Sequence, residues 1–190
     1  MKSTKQMAIV ALILNFGVAG IYAQQKPVLM AFSGTAEVSA FALASGAGSS
    51  EDNFAGGGTL GSFTFRDLAA ELPSTPPPGV CSGSNMLYAV RAVTTGVFRF
   101  GDGSLLNVSL VRGSDCIDLA AQQAHCTVIF QINGGTGRFK NASGTLNFME
   151  TVTPVLADAS GNPTFFTSTG TFTGTISGMA AEPASQEESQ

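Results

Sequence analysis

Glu150 and Arg91 are the residues best placed to do chemistry, because each falls on a strand face that is otherwise mostly apolar. In the run that starts at Gly144, Glu150 shares parity with Leu146, Phe148 and Val152, while Thr145, Asn147, Met149 and Thr151 take the other face. Arg91 shares parity with Leu87, Ala89 and Val93. A carboxylate and a guanidinium facing the inside of a barrel would bind the polar group of an otherwise apolar ligand. Buried charge without a partner is costly, so each needs one, and each is the partner named for the other. The two plainer readings are a bulge that flips the strand parity and an ion pair whose role is structural.

Other constellations point away from familiar chemistry. Gly56-Gly57-Gly58-Thr59-Leu60-Gly61 fits G-x-G-x-x-G, but a dinucleotide site needs a strand before it and a helix after it. Here a loop precedes and a strand follows, which makes it a flexible loop. His125 is the one histidine, and no G-x-S-x-G elbow is present, so a Ser-His-Asp hydrolase has no support. The absence of C-x-x-C and H-x-x-x-H spacings disfavours zinc. Asp102 and Asp115 sit in turns without the alternating carboxylates of a calcium loop. No metal and no cofactor is therefore expected, and no catalytic residue is assigned. Asn107-Val108-Ser109 and Asn141-Ala142-Ser143 match the glycosylation acceptor pattern, which matters only in a eukaryotic host.

Three cysteines are present, Cys81, Cys116 and Cys126. Cys116 and Cys126 close a short loop between two predicted strands, and the expectation is a disulfide between them, with Cys81 left over in a Gly/Ser/Pro stretch. The alternative is three free, small apolar side chains.

The elements that must position these residues are strands. Beyond residue 23 helical periodicity is nearly absent, and short alternating runs rich in Thr, Val, Phe and Gly lie between turn signals. Strands are predicted over 33–43, 58–67, 85–100 (with a bend at Thr95-Gly96 as an option), 105–111, 126–132, 144–153 and 164–177. Residues 44–57 read as a Gly/Ser loop. Residues 69–84 read as another loop, because Pro73, Pro76, Pro77 and Pro78 cannot donate to a ladder. Gly101-Asp102-Gly103-Ser104 is the clearest turn, and it predicts a β-hairpin. Seven or eight strands with short connections and no crossover helix predict an all-β fold: an antiparallel, closed or nearly closed barrel of about eight strands, with a sandwich as the alternative. A barrel leaves no edge strand exposed.

The segment Gly134-Gly135-Thr136-Gly137-Arg138-Phe139-Lys140-Asn141-Ala142-Ser143-Gly144 resembles the G-G-T-G-x-F-x-x-A-x-G segment of dirigent proteins, which belong with the allene oxide cyclases in a superfamily of eight-stranded antiparallel barrels. It is also similar to the G-G-T-G-R-F-x-x-A-x-G segment of many small, exported, uncharacterised bacterial proteins. The glycines permit positive φ and a tight reversal, Phe139 can plug a barrel end, and Ala142 with Gly144 permits close packing where the next strand begins. The segment thus reports fold rather than chemistry. The resemblance implies, as the enzymatic alternative, guidance of phenoxy-radical coupling or cyclisation of an unstable lipid epoxide.

Composition bounds the rest. Lys2 and Lys5 precede an apolar run over 7–21, and Ala23 offers a cleavage point before Gln24, so residues 1–23 read as a signal peptide. A spanning helix needs about 20 apolar residues, and this run is shorter and holds Asn15. Residues 24–179 form one domain, and the acidic tail 180–190 is expected to be disordered. Of the 190 residues, those left after residue 23 hold seven basic and thirteen acidic side chains, a net charge of −6. The basic residues form no stripe, which argues against nucleic acid or an anionic membrane as partner. No integral span is expected after signal cleavage, and homo-oligomerisation stays open. The location expected is the periplasm or the extracellular space. The preferred function is non-enzymatic: binding of a small apolar molecule, or a structural role in the envelope. A loop-mediated interaction module is the third reading.

Overall fold

A computed structural model describes residues 24–39 and 47–180. Residues 1–23, read from sequence as a signal peptide, lie outside the described residues, as does the tail beyond Ala180. The strands are β1 (Lys26–Val38), β2 (Gly48–Gly58), β3 (Phe63–Pro73), β4 (Met86–Phe100), β5 (Leu105–Asp118), β6 (Gln123–Gly135), β7 (Ser143–Ala157) and β8 (Pro163–Ser177). Each pairs antiparallel with the next, and β8 pairs with β1, so the chain forms a closed eight-stranded barrel. The one helical segment among the described residues is a 3-10 turn, Gly137–Phe139, and no helix there is long and apolar enough to cross a membrane.

Alternation explains the filling. Phe63 and Phe65 on β3, Phe98 and Phe100 on β4, Phe148 on β7 and Phe172 on β8 all point inward and are buried. Their rings meet at centroid distances such as 4.4 Å for Phe65–Phe98 and 4.8 Å for Phe98–Phe172, the separation at which aromatic pairs attract beyond their area. Glycines make room for them: a Cβ at Gly96 would stand 2.5 Å from the Phe65 ring, and one at Gly170 would stand 2.6 Å from that of Phe32. The outer wall of β7 and β8 carries Thr145, Asn147, Thr169 and Thr171 instead.

Several segments depart from the sequence expectation. Residues 48–57, expected as loop, belong to β2, although Ser, Gly, Asp and Asn are poor strand formers, and 59–62, expected inside a strand, form the turn before β3. Pairing on both edges decides the matter, since β2 is laddered to β1 and to β3. Residues 69–73, also expected as loop, continue β3, with Pro73 as its last residue. The Gly101–Ser104 turn closes the β4–β5 hairpin, with the Gly103 N–H donating to Phe100 O at 2.9 Å and Gly103 at φ 81°.

The predicted cysteine pairing is wrong. Cys81 is joined to Cys116, with Cα atoms 5.4 Å apart, and Cys126 is a free, buried thiol. The register shows why: on the β5–β6 ladder Asp115 faces Cys126, and Cys116 faces His125. Adjacent residues of a strand point to opposite faces, so Cys126 turns inward with Asp115 and Cys116 turns outward. Cys116 is left to meet the 74–85 connection, which it pins to the wall. Closing a loop of 35 residues in sequence should stabilise the fold by about 2–4 kcal/mol. Cys81→Ser should lower the unfolding free energy by that amount, whereas Cys126→Ser should leave a non-reducing peptide map unchanged; a map linking Cys116 to Cys126 would reverse the assignment.

Candidate functional site

The two ends of the barrel are built differently. At one end the 134–144 segment forms the closure. Gly134, Gly137 and Gly144 have positive φ (76°, 56° and 140°), Gly135 completes β6 against β5, and Phe139 is fully buried with its ring 4.7 Å from that of Phe100. Arg138 lies over Phe100 and Phe139 at 5.1 and 4.7 Å and pairs with Asp102 at 3.1 Å. These residues shape a turn and a plug.

At the other end the phenylalanine filling gives way to ionisable groups. Arg91 sits at the centre. Its Nε donates to both Asp115 oxygens at 3.2 Å. Its Nη atoms lie 3.9 Å from Asp52 Oδ2, 3.7 Å from Glu71 Oε1 and 3.8 Å from Glu150 Oε2. Asp67, also buried, stands below them on β3. Ser168 on β8 donates to Glu150 Oε1 in a short hydrogen bond. The structure therefore brings Glu150 and Arg91 together inside the barrel, with Met149 exposed on the outer face.

Arg91 reaches this place by a bulge. Across β3–β4, Ala70 pairs with Val93 but Glu71 pairs with Arg91, so Ala92 is an extra residue. Before it Ala89 and Arg91 point inward; after it Thr94, Gly96 and Phe98 do, and Val93 is exposed, contrary to the parity read from sequence. Leu87 is exposed as well.

Five carboxyl groups face one guanidinium, and burial raises the pKa of Asp52, Asp67, Glu71 and Glu150. Desolvation, reinforced by Asp52, lifts Glu150 from 4.5 to about 8 against the opposing pull of Arg91. Desolvation with the Asp115 charge lifts Glu71 to about 7. Burial pushes Asp52 up, and burial plus the Asp52 charge pushes Asp67 up further. Burial and the Asp115 charge also raise the Cys126 thiol, which stays protonated and is no nucleophile. Near neutral pH the site is thus a set of carboxylic acids and carboxylates sharing protons around one fixed positive charge.

Above this floor lies a half-enclosed cavity of about 230 Å³, walled by Ala36, Val38, Ile117, Ala124, Val152 and Phe166. Ile117, Ala124, Val152 and Phe166 also line an adjoining groove of about 450 Å³, which extends to Leu119 and Leu156. No three of the described His, Cys, Asp and Glu residues are placed to ligate one metal ion. His125 faces the outside, its Nδ1 at 3.3 Å from Thr151 Oγ1.

Sequence reasoning missed Asp52, Asp67, Glu71 and Asp115. Two carried a signal: Asp67 continues the inward series Phe63, Phe65, and Asp52 shares parity with Phe54. Asp115 carried none, because irregularities at 106/108 and 110/112 shift the β5 register twice before it. Comparison with family models, with curated proteins and with solved structures found no match.

Proposed function

We propose that this chain is an exported barrel that binds a small, mainly apolar molecule at its polar-lined end, the molecule's polar group meeting Arg91 and Glu150. The observation that carries the reading is the cavity itself: apolar walls ending on convergent, buried polar groups. Groups that served only to fill the barrel would be replaced by apolar ones at lower desolvation cost, as the phenylalanine half of the barrel illustrates. Export is supported by the Lys2, Lys5 and 7–21 pattern and by the Cys81–Cys116 disulfide, a bond that persists in oxidising compartments. Protein from native culture should begin at or near Gln24; N-terminal sequencing that returns Met1 from the soluble protein would remove the export claim.

A second reading has its own support. The resemblance of residues 134–144 to dirigent proteins and allene oxide cyclases, and a Glu150 that keeps its proton to about pH 8, suit a cyclase or stereochemical guide supplying an acid to a reactive apolar intermediate.

The test common to both is occupancy. Ala124 lines the cavity and the groove, so Ala124→Trp should lower affinity for an apolar fluorescent probe at least tenfold while circular dichroism stays that of the parent barrel. Mass spectrometry of small molecules carried by the purified protein should show an apolar species lost in the same variant. Undiminished probe binding by Ala124→Trp would place binding elsewhere and sink the proposal.

A further inference from the structure

The charge count at the site limits the ligand's polar group. From β2 come Asp52, Ser49 and Ser50, from β3 Asp67 and Glu71, from β4 Arg91, from β5 Asp115, from β6 the Cys126 thiol and from β7 Glu150; β8 offers Ser168 and β1 the apolar Ala36 and Val38. Five acids thus face one guanidinium, and Arg91 commits its Nε to Asp115. An anionic head would meet one open donor, Arg91 Nη1, inside a region that five acids already crowd.

The hydrogen-bonding positions left open on the cavity wall are two acceptors and one donor, Arg91 Nη1. Asp52 Oδ2 and Glu150 Oε2 belong to residues 3% and 4% exposed, both line the cavity, and neither has a hydrogen-bond partner. Their nearest Arg91 nitrogens, at 3.9 and 3.8 Å, are too distant to donate well. A group that brings several N–H donors and a positive charge would satisfy both oxygens and replace the protons the acids otherwise hold. The walls ask for a hydrocarbon, and the four residues shared with the groove give it a continuous apolar path toward Leu119 and Leu156.

Resting on the proposed ligand-binding reading, we infer that the ligand is an amphiphilic amine, its protonated amino head between Glu150 and Asp52 and its apolar skeleton over Phe166 and Val152 into the groove. An ammonium ion entering beside Glu150 and Glu71 displaces a proton, so affinity rises with pH through the range in which those acids titrate, about 7 to 8, and falls again above the amine's own pKa, near 10 for an alkylamine of the lysine type.

The experiment is calorimetry on the full mature protein with octylammonium, octanol and octanoate at pH 6.5 and 8.5, in two buffers of different ionisation enthalpy. Octylammonium should bind at least tenfold more tightly than octanol at pH 8.5, gain about tenfold between the two pH values and release more protons at pH 6.5 than at pH 8.5. Octanoate should bind weakest. Glu150→Gln should cost octylammonium about tenfold and leave octanol unchanged, with amide shifts at Ala124 and Val152 locating both ligands. Octanol equal to octylammonium, or octanoate above it, would overturn the cationic head and leave the apolar cavity standing. Octylammonium binding indifferent to pH and to Glu150→Gln would overturn the head as well. Failure of all three probes to bind would remove both the inference and the reading beneath it.

Discussion

Arg91→Met should lower the unfolding free energy by about 3–5 kcal/mol near pH 8, and by much less at pH 5. Methionine matches much of the arginine stem in volume, so the loss reports charge rather than a cavity. The guanidinium touches four carboxylates from four strands, and its removal leaves Asp115 without its two hydrogen bonds and Asp52, Glu71 and Glu150 without a counter-charge. Each must then take a proton or sit ionised in a dry interior. At pH 8 protonation opposes the solution, and the cost appears in full; at pH 5 protons are plentiful and most of it is relieved. Urea titrations at the two pH values measure the difference. A variant as stable as the parent at pH 8 would mean that the carboxylates are all protonated there already, and the charge arrangement described for the site would be wrong.

This cluster shows what the sequence discloses and what it hides. The barrel was legible because its signals are local: alternation in Phe63/Phe65, Phe98/Phe100 and Leu146/Phe148, and the Gly101–Ser104 turn. Glu150 was legible for the same reason, as β7 runs without a shift from Gly144 through Thr153. Arg91 was found with partly wrong neighbours, because one extra residue at Ala92 inverts the parity beyond it. β2 was lost because its strand character comes from its two neighbours rather than from its own glycines and acids. The disulfide was misassigned because nearness in sequence says nothing about which face a side chain takes, and Cys116 and Cys126 take opposite ones. What decides each miss is a pairing between distant segments, which no window of the sequence contains.

The parent protein should grow more stable as the pH falls from 8 to 5, by on the order of 5 kcal/mol. Glu150 moves from 4.5 to about 8 on folding and Glu71 from 4.5 to about 7, while Asp52 and Asp67 move the same way. An acid whose folded pKa is raised binds more protons folded than unfolded in the window between the two values, so stability falls as pH rises through that window. Below about 4.5 the unfolded carboxylates are protonated too and nothing further is gained; above about 8 the whole penalty is present. At about 1.4 kcal/mol per tenfold change in proton affinity, Glu150 alone supplies up to about 5 kcal/mol. The remaining groups titrate with it as one set, so their shares do not simply add. The carboxyls held below the usual range, Asp102 and Asp158, are at the surface and act only below pH 4, outside the window. Glu150→Gln should flatten the profile: it removes an acid displaced further than Glu71, and Arg91 keeps Asp115, Asp52 and Glu71. The variant should therefore equal or exceed the parent at pH 8.5 and fall behind it at pH 5, where the Ser168 hydroxyl loses its carboxyl partner. Thermal unfolding at half-unit pH steps reads both curves. A parent whose stability rises from pH 5 to 8, or a Glu150→Gln profile as steep as the parent's, would show that these acids are ionised throughout and that the proton-sharing site does not exist.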